Sequence, residues 1–334
     1  SNYGIELFRE FGCETRYSDH MRLKIGVIIP TKDRPQNVQK VLESFVGQEV
    51  DQVVVCGSGE DLTPVIEEFK NRIPIRYIKA ESGQINQKLE AISQLDYNLD
   101  WVIFSDDDVV YPSDFFRKLH RILDNFSNSP NILGIGFRLK SKTHPTESVL
   151  KRLFTRFFGL GSGKPGAVRR NGVCIPYASA IKEFETQWLN GASVWRTNEI
   201  LKYNSVDKFT KYAVYEDAIF SYARSKEGTL RFVPSLEIEY QANDLVPKLN
   251  AERYLAQSLW QIYFVVNFKL SLIKCAWSLL GVSLQLLKIS DEELPLRAKT
   301  RAIRQVNGVL IGTLKSFDKE TYIVGCIKKN LRAK

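Results

Sequence analysis

Histidine is scarce in this chain: His20, His120 and His144 are the whole supply in 334 residues. A zinc centre built on several imidazoles is therefore excluded. Cysteine offers no framework either. Cys13, Cys56, Cys174, Cys275 and Cys326 are odd in number, show no CxxC spacing and mostly sit in apolar stretches, the pattern of reduced thiols in a cytoplasmic chain. The first residues lack the basic-then-apolar order of a signal peptide. The uncharged run Cys275 to Leu287 holds 13 residues, short of the ~20 that a membrane-spanning helix needs.

What is present is a composition that folds, with 44% hydrophobic and 25% charged residues. The length suits one large α/β domain with an appendage, or two modest domains. The net charge of +9 is concentrated at one end, because residues 251–334 carry 14 Lys/Arg against 6 Asp/Glu. A basic tail of this kind fits nucleic acid or an anionic membrane surface. No nucleic-acid recognition motif accompanies it, so membrane contact is the expected partner.

Short strands alternate with helices over the first half. Lys24 to Pro30 reads as a buried strand, and Val38, Val41, Leu42 and Phe45 then recur at helical spacing behind Pro35. Val50 to Cys56, Ile75 to Ile78 and Leu99 to Phe104 read as further strands. Leu62 to Phe69 and Leu89 to Leu95 read as the helices between them. Such alternation implies βαβ units and a mostly parallel sheet. Phe115 to Phe126 is expected as a helix and Ile132 to Leu139 as a strand. Thr186 to Trp195 and Leu230 to Tyr240 are expected as strands flanking a helix over Val214 to Ser225. Between Lys140 and Ala180, glycines mark a long connection with a basic amphipathic stretch around Val149 to Phe158. That stretch fits either a membrane surface or an ordinary core-facing helix. From Leu255 to Ile289 the expectation is an interfacial helix pair, followed by a basic amphipathic helix over Ala298 to Leu314.

The most informative segment is Asp106-Asp107-Asp108, directly after Trp101-Val102-Ile103-Phe104. Ligands of open α/β sheets bind outside the carboxyl ends of the strands. Side chains two apart on an extended backbone point the same way. Asp106 and Asp108 are thus expected to converge on one hard cation, Mn²⁺ or Mg²⁺, with Asp107 turned aside and a diphosphate as the natural co-ligand. An acidic loop capping the helix after Pro112 is the plainer alternative.

With these residues in order, the chain resembles the inverting GT-A glycosyltransferases of family 2, over roughly Lys24 to Tyr240. Pro30-Thr31-Lys32-Asp33-Arg34 looks like the first nucleotide-binding turn and Asp106-Asp107-Asp108 like the DxD motif. Trp188-Leu189-Asn190-Gly191-Ala192-Ser193-Val194-Trp195-Arg196 resembles the acceptor-side segment, and Glu216-Asp217 with Arg224 the ED motif and its arginine. The resemblance implies a GT-A (Rossmann-like) mostly parallel sheet flanked by helices, with a C-terminal helical membrane-associating region. Residues 1–22 would be a leader, 23–245 the catalytic domain and 246–334 the basic helical region.

The resemblance also implies roles. Asp217 would be the catalytic base. Glu216, Trp188, Gly191, Ala192 and Arg196 would meet the acceptor. Pro30, Thr31, Asp33, Arg34, Asp106 and Asp107 would bind the nucleotide-sugar, and Asp108 with Asp106 the metal. Cys56-Gly57-Ser58-Gly59 stands where relatives carry a base-reading acid, leaving Ser58 or backbone groups to substitute. Gln84 or Asn86 would contact the nucleobase or ribose, or else simply cap their helix. Where many members have a histidine, six residues beyond Pro234, this chain has Tyr240 followed by Gln241.

The expected activity is transfer of a sugar from a nucleoside diphosphate, UDP by family habit, to a saccharide or lipid-linked saccharide on the cytoplasmic face of the inner membrane. Transfer to a polyprenyl phosphate, non-catalytic sugar-nucleotide binding and nucleic-acid binding are the alternatives.

Overall fold

The computed structural model describes residues 22–140, 148–161, 163–177, 179–204, 213–241 and 250–331. The parallel half of the sheet is laid down first. β1 (Ile25–Lys32), α1 (Pro35–Phe45), β2 (Gln52–Ser58), α2 (Thr63–Phe69), β3 (Ile75–Lys79), α3 (Gln84–Ile92) and β4 (Trp101–Phe104) follow one another. β5 (Val109–Val110), α4 (Phe115–Phe126), β6 (Ile132–Lys140) and α5 (Val149–Phe157) come next. Then come β7 (Phe184–Thr186), β8 (Ser193–Arg196), α6 (Thr197–Ile200), α7 (Glu216–Arg224) and β9 (Thr229–Tyr240). Four helices close the chain: α8 (Ala251–Asn267), α9 (Leu272–Leu287), α10 (Leu296–Lys315) and α11 (Lys319–Leu331).

The strands form one sheet of order β3-β2-β1-β4-β8-β6-β9-β5, with β7 on β9. β1 pairs in parallel with both β2 and β4, while β8 runs antiparallel to β4 and β6. Alternate residues of the central strands serve two cores. Val27, Ile29, Val53, Val55 and Ile103 face α1, α2 and α4. Ile28, Val54, Val102 and Phe104 face α3 and α7. Burial on both faces is why these strands read as continuous apolar runs. The chain leaves β1 toward β2 on one side and β4 lies on the other, so a crevice opens between the carboxyl ends of β1 and β4.

Two expectations need correction. Thr186 to Trp195 is not one strand. β7 ends at Thr186, and Gln187 to Ala192 form a loop that crosses to the acidic cluster before β8 begins. Nor is α8 interfacial. Tyr254, Leu259, Trp260, Ile262 and Val265 are enclosed in a core shared with α9, α10 and α11, so its all-round hydrophobicity reflects burial in protein. This helical layer packs on α7: Tyr215 and Tyr222 lie 5.7 and 5.3 Å from Phe264, ring to ring. Gln261 Nε2 also donates to the Asn171 carbonyl at 2.8 Å. Among the described residues no helix is long and apolar enough to cross a membrane, and the four cysteines there are free.

Candidate active site

The acidic triplet leaves β4 at the crevice, and all three of its residues line one cleft. Asp107 is buried and accepts from Thr31 Oγ1 at 2.6 Å and from Arg34 at 2.9 Å. Thr31 and Arg34, expected on the nucleotide, thus first anchor the triplet to the end of β1, with one donor on each Asp107 oxygen. Arg34 remains half exposed, 3.8 Å from Asp108. Asp106 lies against Gly191, where an added Cβ would stand 3.1 Å from its Oδ1. Burial, then the neighbouring carboxylates Asp108 and Glu216, push its pKa up to about 6 against the pull of Lys88. Asp108 is also held above the usual carboxylate range, by burial and by Asp107, while the Tyr240 hydroxyl bonds to it. Burial and Asp108 in turn push Tyr240 up to about 12.

Asp106, Asp107, Asp108 and Tyr240 line a cleft of ≈ 1220 Å³. Its near wall is Pro30, Thr31, Lys32, Gly83 and Gln84, and its far wall comes from the C-terminal helices through Glu252, Arg253, Leu255, Asn330 and Leu331. Gln84 meets the cleft because Gly83, at φ 140°, turns the chain sharply into α3. Asn86 does not meet it: its side chain donates to the Glu81 carbonyl at 3.2 Å and is buried.

A second, almost closed void of ≈ 10 Å³ adjoins, bordered by Asn190, Gly191, Phe104, Lys88, Glu216 and Asp217. Gly191 belongs to this void and lies against Asp106, which belongs to the cleft. Asp217 is half-buried at the start of α7, where its Oδ1 accepts from the Ala218 amide at 2.7 Å. Burial, then the adjacent Glu216, push its pKa up to about 7, while Lys88 pulls it down.

Glu216, expected at the acceptor, borders the same void as Asp217 and already holds a donor on each carboxylate oxygen. One carboxylate oxygen accepts from Lys88 Nζ and the other from the Tyr203 hydroxyl, all inside the core. Lys88 is 2% exposed, with its ammonium 4.7 Å over the Phe104 ring. Sequence reasoning missed Lys88, Tyr203 and Gln87. Gln87 is also buried, and ties β1 to β2 through the carbonyls of Thr31 and Cys56. The signal for Lys88 and Gln87 was a polar stretch inside a helix that must face a sheet, whereas nothing in the sequence marks Tyr203.

Other expected residues sit away from the cleft. Arg196 is at the opposite end of β8, paired with Trp101. It donates to the carbonyls of Ile132, Phe126 and Ser129 and stacks 4.6 Å over Trp101. Asp33, at φ 53°, accepts from the Glu60 amide at 2.9 Å and so holds the end of β2. Ser58 ends β2 beside Lys32 with a buried hydroxyl. Trp188 donates its indole N–H to the Ile175 carbonyl at 3.1 Å, and Ala192 is in the core. Arg224 pairs with Glu199 and Glu227.

A sequence model of the family described as Glycosyl transferase family 2 matches residues 26–174, from β1 past the acidic triplet. Those residues belong to glycosyl transferase family 2. The chain is thus a glycosyltransferase, with the mixed, largely parallel GT-A sheet. A solved structure agrees on the fold: S. aureus TarS 1-349 aligns over 92% of this chain and 90% of its own, at 15% identity and a TM-score of 0.52. The mannosyltransferase PcManGT from Pyrobaculum calidifontis, solved with GDP-Man and Mn²⁺, aligns over 92% and 87% at 11% identity and a TM-score of 0.48. No curated protein matches the chain.

Proposed function

We propose that the enzyme binds a nucleoside diphosphate sugar, a UDP-sugar in the first instance, in the cleft beside the acidic triplet and transfers the sugar with inversion to a saccharide hydroxyl. The observation that carries this reading is the position of Asp106, which borders the cleft on one side and lies against Gly191 of the Asp217 void on the other. Donor and base then meet at one end of the sheet. Asp217 takes the proton of the acceptor hydroxyl as its oxygen bonds to the anomeric carbon, and the diphosphate leaves with the electrons of the broken glycosidic bond.

Asp108 and Asp106 are suited to Mn²⁺ or Mg²⁺ by the chemistry of the pair, two neighbouring carboxylates whose ionisation is disfavoured without a cation. Among the described residues no group of three or more His, Cys, Asp and Glu is set to hold a metal ion, so diphosphate oxygens and water would complete the coordination. When bound, such an ion supplies charge neutralisation to the departing diphosphate. Arg34 and Lys32 add positive charge at the same rim. Residues 23–245 form the catalytic part, and 246–334 supply the far wall of the donor cleft.

The acceptor in this reading is a lipid-linked saccharide of a cell-surface glycan, reached from the cytoplasmic face of the inner membrane. The basic surplus of the C-terminal region supports peripheral contact with anionic lipid. The deciding experiment is a thermal-shift screen of nucleotide sugars with and without Mn²⁺, because a ligand bound only by the native state raises the midpoint. A metal-dependent rise with one donor is expected. No shift with any donor, at concentrations that saturate other enzymes of this fold, would overturn the donor-site assignment.

A further inference from the structure

Peripheral attachment to a membrane requires a surface that meets lipid, and the choice of that surface rests on the proposed function. α5 buries none of its side chains. Val149, Leu150, Leu153 and Phe157 are all more than half exposed, and their spacing puts them on one face of the helix. On α9, Ile273, Trp277, Leu280, Leu284 and Leu287 are exposed at every third or fourth position. The opposite face of α9, with Cys275, Leu279 and Leu286, packs into the helical core.

The two apolar stripes adjoin. Trp277 Nε1 donates to the Phe157 carbonyl at 2.9 Å, and its ring lies 5.1 Å from Phe157 and, stacked, 5.1 Å from Phe158. Gly281 permits this approach, since a Cβ there would stand 2.5 Å from Phe158 Cβ.

We propose that α5 and α9 together form a seat that lies in the interfacial layer of an anionic lipid bilayer. Contiguous exposed apolar surface on this scale marks an interaction face rather than scattered surface leucines. The stripe from Ile273 to Leu287 runs about 21 Å along the helix at 1.5 Å per residue.

Charge selects the occupant. Neither α5 nor α9 contains a single Asp or Glu. Arg152 and Arg156 on α5 are exposed, as are Lys274 on α9 and Lys288 at its end, and Lys288 Nζ lies 5.3 Å over Phe154. Along the two helices, apolar residues beside cations match acyl chains beneath acidic headgroups, and the exposed acids Asp291, Glu292 and Glu293 come only past the end of α9. A second copy of this chain would bring like charges together at the same face.

The test is flotation of the full chain with vesicles of phosphatidylcholine, with and without phosphatidylglycerol. Wild type is compared with the variant Leu150→Glu, Leu153→Glu, Leu280→Glu, Leu284→Glu. Wild type is expected to float with the anionic vesicles, and the variant's partitioning to fall at least about tenfold. Nucleotide-sugar stabilisation stays unchanged in the variant, which certifies its fold. Independently, brominated lipid is expected to quench wild-type tryptophan fluorescence and to lose most of that effect in Trp277→Phe.

Equal flotation of wild type and variant would overturn the seat while leaving peripheral attachment intact. No flotation of wild type would overturn both. A variant that changes only from dimer to monomer would assign the face to self-association and overturn the lipid proposal. Donor binding in the thermal-shift screen is read separately, so failure of the glycosyl-transfer reading is distinguishable from each of these.

Discussion

Lys88 on α3 and Glu216 on α7 form an ion pair in the core, beside the void that Asp217 also borders. Each alone would be a buried charge, and the pair is completed by the Tyr203 hydroxyl on the second Glu216 oxygen. Removing one partner leaves the other uncompensated, which costs about 3–5 kcal/mol. Lys88→Met is therefore expected to lower the urea midpoint strongly, while Lys88→Met combined with Glu216→Gln recovers much of the loss. Lys88 also pulls Asp217 down toward ionisation, more than the Ala218 amide does. Any residual transfer in Lys88→Met is expected to need a higher pH, which a pH–rate profile reads directly.

Asp217→Asn removes the proposed base and leaves the donor cleft intact. Transfer is expected to fall by about 10²–10⁴-fold, with the donor-induced thermal shift unchanged. Stability moves the opposite way. The Asp217 carboxyl ionises near 7 in the folded chain but at the ordinary 3.8 when unfolded, so the native state loses stability as pH rises between those values. The Asn variant lacks that loss. Its midpoint is expected to exceed wild type at pH 8 and to converge with it near pH 4, measured by calorimetry in matched buffers. Full transfer activity in Asp217→Asn would remove the base assignment.

The same ionisation sets the acid limb of activity. Below about 7 the base is increasingly protonated, so kcat/KM is expected to drop about tenfold per pH unit. The limb should be absent in Asp217→Asn, whose low residual rate has no carboxyl to titrate there. A flat wild-type profile from pH 5 to 8 would contradict the assignment.

The fold was most legible where burial is purely apolar. α4 falls at Phe115–Phe126 as its periodicity indicates. β1, β2 and β4 stand out because both faces of each are covered. Legibility failed where polar groups are buried. α3 begins at Gln84, not Leu89, because Asn86, Gln87 and Lys88 are inside the protein and bonded there, and hydrophobic spacing cannot register a polar residue satisfied in the core. The acidic triplet announced the cleft, yet the partners that hold Asp107 aside were not readable. Asp107 is fixed by Thr31 and Arg34, 76 and 73 positions away. The position of Arg196 has a similar cause, since a residue next to a site in sequence is carried by a four-residue strand to that strand's opposite end.

Tyr240 gives the sharpest test of the metal proposal. It ends β9, pairs with Val109 just beyond the triplet, and bonds through its hydroxyl to Asp108. A neutral phenol is a poor ligand, and burial with the nearby Asp108 carboxylate makes its ionisation harder still. An imidazole at that position would offer a neutral nitrogen to an ion on Asp108. Tyr240→His is therefore expected to lower the Mn²⁺ concentration for half-maximal donor stabilisation, and Asp108→Asn to raise it or abolish the metal dependence. The paired titrations separate two cases. If the ion rests on Asp108, the variants shift in opposite directions. If the cleft holds its donor through Arg34 and Lys32 alone, donor stabilisation is the same with and without Mn²⁺ in wild type and in both variants, and the acidic triplet serves to position Arg34.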